Sequence, residues 1–211
     1  GQEVALFAKK HLPVAVKSSG AFKSKNYKQA LIEGFQSVDK QLESAKGAKE
    51  LFALYQASGR KDLGDIAPDA VGKMVGCTAC VALVTKTEVY VANAGDSRAA
   101  LCRKGKAVVM SKDHKPDVEE ERKRIEKANG YIDGDRVNGM INLTRCLGDL
   151  EYKQDKKLRQ EDQILSSVPD VRVEKLYNDA DFLTVACDGI WGLSHLAGKP
   201  STTFRTKIRP P

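Results

Sequence analysis

No stretch of this sequence approaches the ~20 consecutive apolar residues that a membrane span needs, which excludes a protein threaded through a bilayer by helices. The opening Gly1-Gln2-Glu3-Val4 has none of the charged-then-apolar character of a secretion signal. Cysteine is sparse and odd in number, at positions 77, 80, 102, 146 and 187, so a disulfide framework is not expected and a reducing compartment is. Aromatics make up only 6% of the chain, and the basic segment near the end offers Phe204 alone. Single-stranded nucleic-acid binders interleave basic and aromatic residues, so that class is not indicated. Histidine is scarce as well. His11, His114 and His195 are scattered, and Cys77-Thr78-Ala79-Cys80 has no second paired set, so a zinc site lacks ligands. The two cysteines enter a β-type run, where residues three apart face opposite ways, and they read as small packing residues.

What is present fits one globular unit. The 211 residues are 41% hydrophobic and 30% charged, enough to bury a sizeable core. Thirty-five basic against 28 acidic residues leave +7. Four of those charges, Lys199, Arg205, Lys207 and Arg209, lie in Leu193–Pro211, which holds no acid, so the preceding 192 residues carry +3. The division expected is therefore a domain over 1–192 and an atypical basic tail over 193–211, the latter too poor in apolar residues to order itself.

The first third has helical period. Val4, Phe7, Ala8 and Leu12 form one stripe, with Pro13 as its predicted end. Tyr27, Ala30, Leu31, Phe35, Val38 and Leu42 form another, capped by Ser24 or Asn26. Ala48–Ala57 extends it or stands alone, and 60–72 reads as a loop. The period then becomes two: Thr78–Val84, Glu88–Ala94, Arg98–Arg103 and Ala107–Met110 read as an antiparallel meander separated by turn residues. One helix is expected from Val118 to Ala128, ended by Gly130. Few apolar residues among many charges place it on the surface, with solvated pairs such as Glu120–Arg124. Arg136–Leu143, Asp170–Lys175 and Asp181–Cys187 are the remaining strand candidates. Val89, Val91, Leu183 and Val185 are expected among the most buried positions.

Two places share one design, a buried-looking strand that ends in an acid beside glycine: Ala94-Gly95-Asp96-Ser97 and Ala186-Cys187-Asp188-Gly189. A carboxylate at a rigid strand end suits a hard cation. Gly-Asp and Asp-Gly are equally the commonest turn formers, so each taken singly is open to both readings. Trp191 beside the second turn reads as a core anchor.

Order and wording carry more than any one turn. Gly76-Cys77-Thr78-Ala79, Asn93-Ala94-Gly95-Asp96-Ser97-Arg98, Asp113-His114-Lys115-Pro116 and Glu121-Arg122 through Gly130 occur in sequence. They are followed by Arg136-Val137-Asn138-Gly139, Thr144-Arg145-Cys146-Leu147-Gly148-Asp149, Val168-Pro169-Asp170 and Ala186-Cys187-Asp188-Gly189-Ile190-Trp191. These eight blocks resemble, in register over about residues 1–192, the metal-dependent type 2C protein phosphatases. The resemblance implies an α+β fold of two antiparallel β-sheets sandwiched between helices. It implies Mn²⁺ or Mg²⁺, two ions activating a bridging water for attack on phosphoserine or phosphothreonine, and a weaker third ion. Asp188 would be a ligand of the central metals and Asp96 of the third, while residues 139–163 would border the substrate-facing flap.

The departures are as specific. The family's first metal motif, its acid histidine and its phosphate-binding arginine have no counterpart, so no catalytic residue is recognisable, and the fold is expected to be incomplete at both ends. Gly192 stands where the family has an acid, the closing Asp-Asn motif does not appear, and Thr144 and Cys146 replace Ser and Ala. The expectation is a phosphoprotein phosphatase domain that is inactive or weakly active as this chain, monomeric and cytoplasmic with the nucleus also open. It would bind phosphoprotein substrates, and neither nucleic acid nor membrane. The alternative is a truncated or spliced phosphatase-like protein that binds without turnover.

Overall fold

The computed structural model describes residues 1–191, so the tail reading and Gly192 lie outside the described residues. The helices are α1 (Gln2–Ser18), α2 (Gly20–Lys23), α3 (Tyr27–Glu43), α4 (Ala45–Ala57), α5 (Val71–Met74), α6 (Glu119–Lys127) and α7 (Asp188–Trp191). The strands before α6 are β1 (Gly76–Cys77), β2 (Ala79–Val84), β3 (Glu88–Ala94), β4 (Arg98–Arg103) and β5 (Lys106–Val109). Those after it are β6 (Ile132–Asp133), β7 (Arg136–Val137), β8 (Leu147–Gly148), β9 (Asp170–Lys175) and β10 (Ala180–Ala186). None of these helices is long and apolar enough to cross a membrane.

The apolar stripes form the helices, with one boundary changed. α1 runs through Pro13 to Ser18. Pro13 lies on the solvent side, where water can take the carbonyl that its missing N–H leaves free, while Val16 prolongs the buried face. Asn26 caps α3 by accepting from the Gln29 N–H at 3.3 Å. Ser44, in extended conformation, ends α3 and caps α4 through the Gly47 N–H at 3.1 Å, so the segment over 48–57 belongs to a separate helix.

The strands do not form one meander. β2, β3 and β9 make one antiparallel sheet in the order β2-β3-β9, and β10, β4 and β5 make another in the order β10-β4-β5. The chain passes between them at Gly95-Asp96-Ser97. Gly95 has φ +120°, and a Cβ there would stand 2.4 Å from Thr78 Cγ2, so only glycine turns the backbone out of the first sheet here. Gly95→Ala should therefore lower stability by about 3 kcal/mol through backbone strain and overpacking, read as a shift of the urea midpoint at unchanged slope.

Strand alternation sorts the side chains into two layers. Ala79, Val81, Leu83, Ala92 and Ala94 pack with α1, α3 and α4, whereas Cys80, Ala82, Val89 and Val91 meet Ala99 and Leu101 of the second sheet. Cys77 and Cys80 fall into different layers, and both are free thiols. Val89 and Val91 are fully buried, but Leu183 is half-buried and Val185 is 41% exposed. The reason is that β10 is an edge strand, with no described strand beyond it to close that flank.

Three expectations further along the chain are corrected. The stretch over 136–143 contributes only the two residues of β7, because Asn138 and Gly139 both take positive φ and reverse the chain. α6 is ended by Asn129 at φ 63°, with Gly130 following and donating to Ile125 O at 2.9 Å. α6 does lie along the surface, with Glu119, Glu120, Lys123, Glu126 and Lys127 exposed, but its charges are not all solvated: Glu121 and Ile125 are both buried and share one face, four residues apart.

Candidate functional site

The loop that carries Asp96 is locked to a second loop 17 residues on. Arg98 clamps Asp113 with two parallel bonds of 2.8 Å. The Gly95 N–H donates to His114 Nδ1 at 3.1 Å and the His114 N–H donates to Gly95 O at 3.1 Å, while the other ring nitrogen lies 3.3 Å from Asp170 Oδ2. Thr78 and Ser97 share a hydroxyl–hydroxyl bond of 2.9 Å across the same turn. Asp96 is nearly buried, and its carboxylate receives Lys115 Nζ at 2.5 Å; that ammonium also donates to Asn142 O at 3.2 Å.

Asp188 reaches the same end of the second sheet by register. Ala186 of β10 stands opposite Arg98 of β4 in an antiparallel ladder. Asp188 follows the one by two residues, and Asp96 precedes the other by two. Two acids 92 positions apart in sequence are thus set beyond the same end of one strand pair. Asp188 is exposed, without an ion pair among the described residues. Carboxylates are the right donor type for Mn²⁺ or Mg²⁺. Their number is not sufficient: the described residues contain no group of three or more His, Cys, Asp or Glu able to hold a metal ion. Asp96, moreover, already has a cation beside it. The described residues therefore do not fit a two-metal centre on their own.

Behind these loops lies a charged network that the sequence reading missed. Glu121 Oε1 accepts from Arg145 at 2.9 and 2.6 Å, and Oε2 accepts from Arg124 at 2.5 Å and from the Thr144 hydroxyl at 2.6 Å. Arg145 continues to Asp170 at 2.9 Å and to Val168 O at 3.1 Å. Arg124 also donates to the carbonyls of Gln163, Thr144 and Ile164. The blocks around Glu121, Arg145 and Asp170 are thus one structural unit. Burial alone would raise the Glu121 carboxyl, but Arg145 and Arg124 hold it at about 2. The signal available in sequence was the shared face of Glu121 and Ile125, hidden by the charges around it.

A second buried pair fastens α3 to the turn after β8. Asp39 receives Lys153 Nζ at 2.6 Å and the Gly148 N–H at 2.9 Å, and Lys153 also donates to Cys146 O at 2.8 Å. Beside it, Asp149 adopts φ 46° and accepts from Cys146 Sγ at 3.2 Å, its carboxyl raised chiefly by burial. That carboxylate presses on β1: a Cβ on Gly76 would stand 1.9 Å from Asp149 Oδ2. Lys153→Met would strand the buried Asp39 charge and should cost about 3 kcal/mol in urea unfolding. Adding Asp39→Leu should recover part of that loss.

A three-layer arrangement of helices on two stacked antiparallel sheets, with an acid turn at one sheet end, defines the class. The family model "Protein phosphatase 2C" matches residues 1–195, and the chain belongs to that family. A probable protein phosphatase 2C 6 of Paramecium tetraurelia is 45% identical over 191 residues, covering 90% of this chain and 61% of the relative. A probable protein phosphatase 2C 21 of Arabidopsis thaliana is 40% identical over 215 residues, with the same coverage of each. The chain thus spans about three fifths of the length of these curated relatives. In fold it is similar to the crystal structure of a serine-threonine phosphatase 2C from Toxoplasma gondii. There the TM-score is 0.67 at 18% identity, over 91% of this chain and 66% of that one.

Proposed function

We propose that this chain carries the part of a metal-dependent phosphoprotein phosphatase that contributes Asp96 and Asp188, acting on phosphoserine or phosphothreonine with Mn²⁺ or Mg²⁺. Family membership supports the reaction class. The observation that carries the assignment of residues is the β4–β10 register, which brings both acids beyond the same strand ends. In this reading Asp188 is a ligand of the central metals and Asp96 of a third, with further donors required to complete the site. The Lys115–Asp96 pair would have to yield to the metal at the third position. That ion pair also favours a second reading, a phosphatase-like protein that binds its target without turnover.

A chimera tests the assignment. Residues 1–191 replace the matching segment of the longer Paramecium relative, and phosphate release from a phosphothreonine peptide is followed with Mn²⁺ and with EDTA. Turnover that needs Mn²⁺ and falls at least a hundredfold on Asp188→Asn is the expected result. Turnover indifferent to Asp188→Asn or to EDTA would overturn the assignment.

A further inference from the structure

We propose that Lys115 is a positioning residue: it holds the turn over 138–142 against the acid turn at Asp96 and so sets how a phosphopeptide is received, a role that rests on the proposed phosphatase activity. The turn over 138–142 projects from the molecule. Asn138 and Gly139 take φ 50° and 72°, and Met140 is 70% exposed. The Val137 N–H donates to Ile141 O at 2.7 Å, the Met140 N–H to Val137 O at 3.0 Å, and the Arg136 guanidinium to Met140 O at 2.7 Å. All three bonds return to β7 or to the turn itself. They fix its shape but do not tie it to the acid turn.

That tie is the Lys115 ammonium, which donates to the carbonyl of the exposed Asn142 at 3.2 Å and to Asp96 at 2.5 Å. Ordering a lysine side chain costs up to about 2 kcal/mol of rotamer freedom, which two acceptors, one of them charged, offset. The backbone that delivers the ammonium is itself pinned. Arg98 clamps Asp113, the His114 N–H donates to Gly95 O, and the Thr144 N–H donates to His114 O at 3.0 Å. Residues 113–115 are thus built onto both the acid turn and the root of the projecting turn. Asp96 steadies the ammonium, but the hold on Asn142 comes from this loop, so a cation taking Asp96 leaves that hold in place. From Thr144 onward the chain is fastened by Glu121 and Arg145, so Lys115 governs only the part that projects. One side chain bridges Asp96 to Asn142, which puts the turn within reach of residues flanking a phosphorylated side chain. A small aryl phosphate has no such residues. Fixing a surface before it is met lowers the ordering cost of binding.

Hydrogen exchange of the chain and kinetics of the chimera test this role separately. In the 211-residue chain, Lys115→Met should speed exchange over 137–144 by about tenfold beyond any change over 89–93 of β3, which reports global opening. Lys115→Arg should restore the protection, since a guanidinium has donors for both acceptors. If the stranded Asp96 charge unfolds the single variant, Lys115→Met combined with Asp96→Asn removes that charge and should free the same amides. In the chimera, kcat/KM for a phosphothreonine peptide is divided by kcat/KM for p-nitrophenyl phosphate. That ratio should fall about tenfold with Lys115→Met, chiefly through the peptide KM, and recover with Lys115→Arg. Unchanged exchange over 137–144, a loss shared equally by the two substrates, or failure of arginine to restore either readout would overturn the proposal. A chimera without turnover would overturn the assignment of function, and exchange alone would then decide the role of Lys115.

Discussion

Replacing Glu121 by alanine should lower stability by about 3–5 kcal/mol, the range for breaking a buried ion pair from one side. Glu121 is only 2% exposed and accepts four bonds, so its loss leaves Arg145 and Arg124 buried without their shared counter-charge. Much of a typical domain's total stability would go with it. Glu121→Gln keeps the shape and some of the bonds and should cost less. The pH profile separates charge from shape. A carboxyl held at about 2 when folded, against 4.5 ordinarily, stabilises fully above the higher value and loses that contribution as pH falls toward the lower. Asp170, held below its ordinary value first by His114 and then by Arg145, adds to the same acid limb. Asp149, raised by burial, works in the opposite direction. Wild-type urea midpoints should therefore decline between pH 5 and pH 3, and the decline should be shallower in Glu121→Gln, as follows from a shift of this sign. An identical slope in the two proteins would contradict the role given to Glu121.

The 211-residue chain by itself should hydrolyse a phosphothreonine peptide in Mn²⁺ at least a thousandfold more slowly than the chimera. Divalent ions of this kind take about six oxygens each, and protein carboxylates must supply enough of them to hold two ions in fixed relation. The described residues hold no group of three or more His, Cys, Asp or Glu able to take a metal ion, and Asp96 is already paired with Lys115. A shortfall of about 4 kcal/mol in transition-state stabilisation gives a thousandfold, and losing both metal affinity and a fixed site geometry exceeds that. Phosphate release at matched protein and Mn²⁺ concentrations measures it. Turnover within tenfold of the chimera would mean that the two acids need far less support than their donor number indicates.

The sequence by itself determined a helix over 4–12 and another over 27–42, the strand periods from 79 to 103 and from 170 to 186, and the family; that the first helix runs on through Pro13 to Ser18 it did not. Each of these is local: a stripe repeats every three to four residues, a strand alternates, and a motif is contiguous. It also marked Asp96 and Asp188, through their matching strand-end turns and the family pattern, as acids expected at one end of the strands. Tertiary structure alone decided that β3 and β4 belong to different sheets, because the switch depends on what Thr78 allows beside Gly95. It alone exposed Val185, because burial depends on which strand lies beyond an edge. It turned the charges of α6 inward as well, since Glu121 is a surface acid in sequence and a core residue only once Arg145, 24 positions away, is folded against it. Charges cannot announce their partners along a chain: the sign is written in the residue, but the distance that makes it an ion pair is set by the fold.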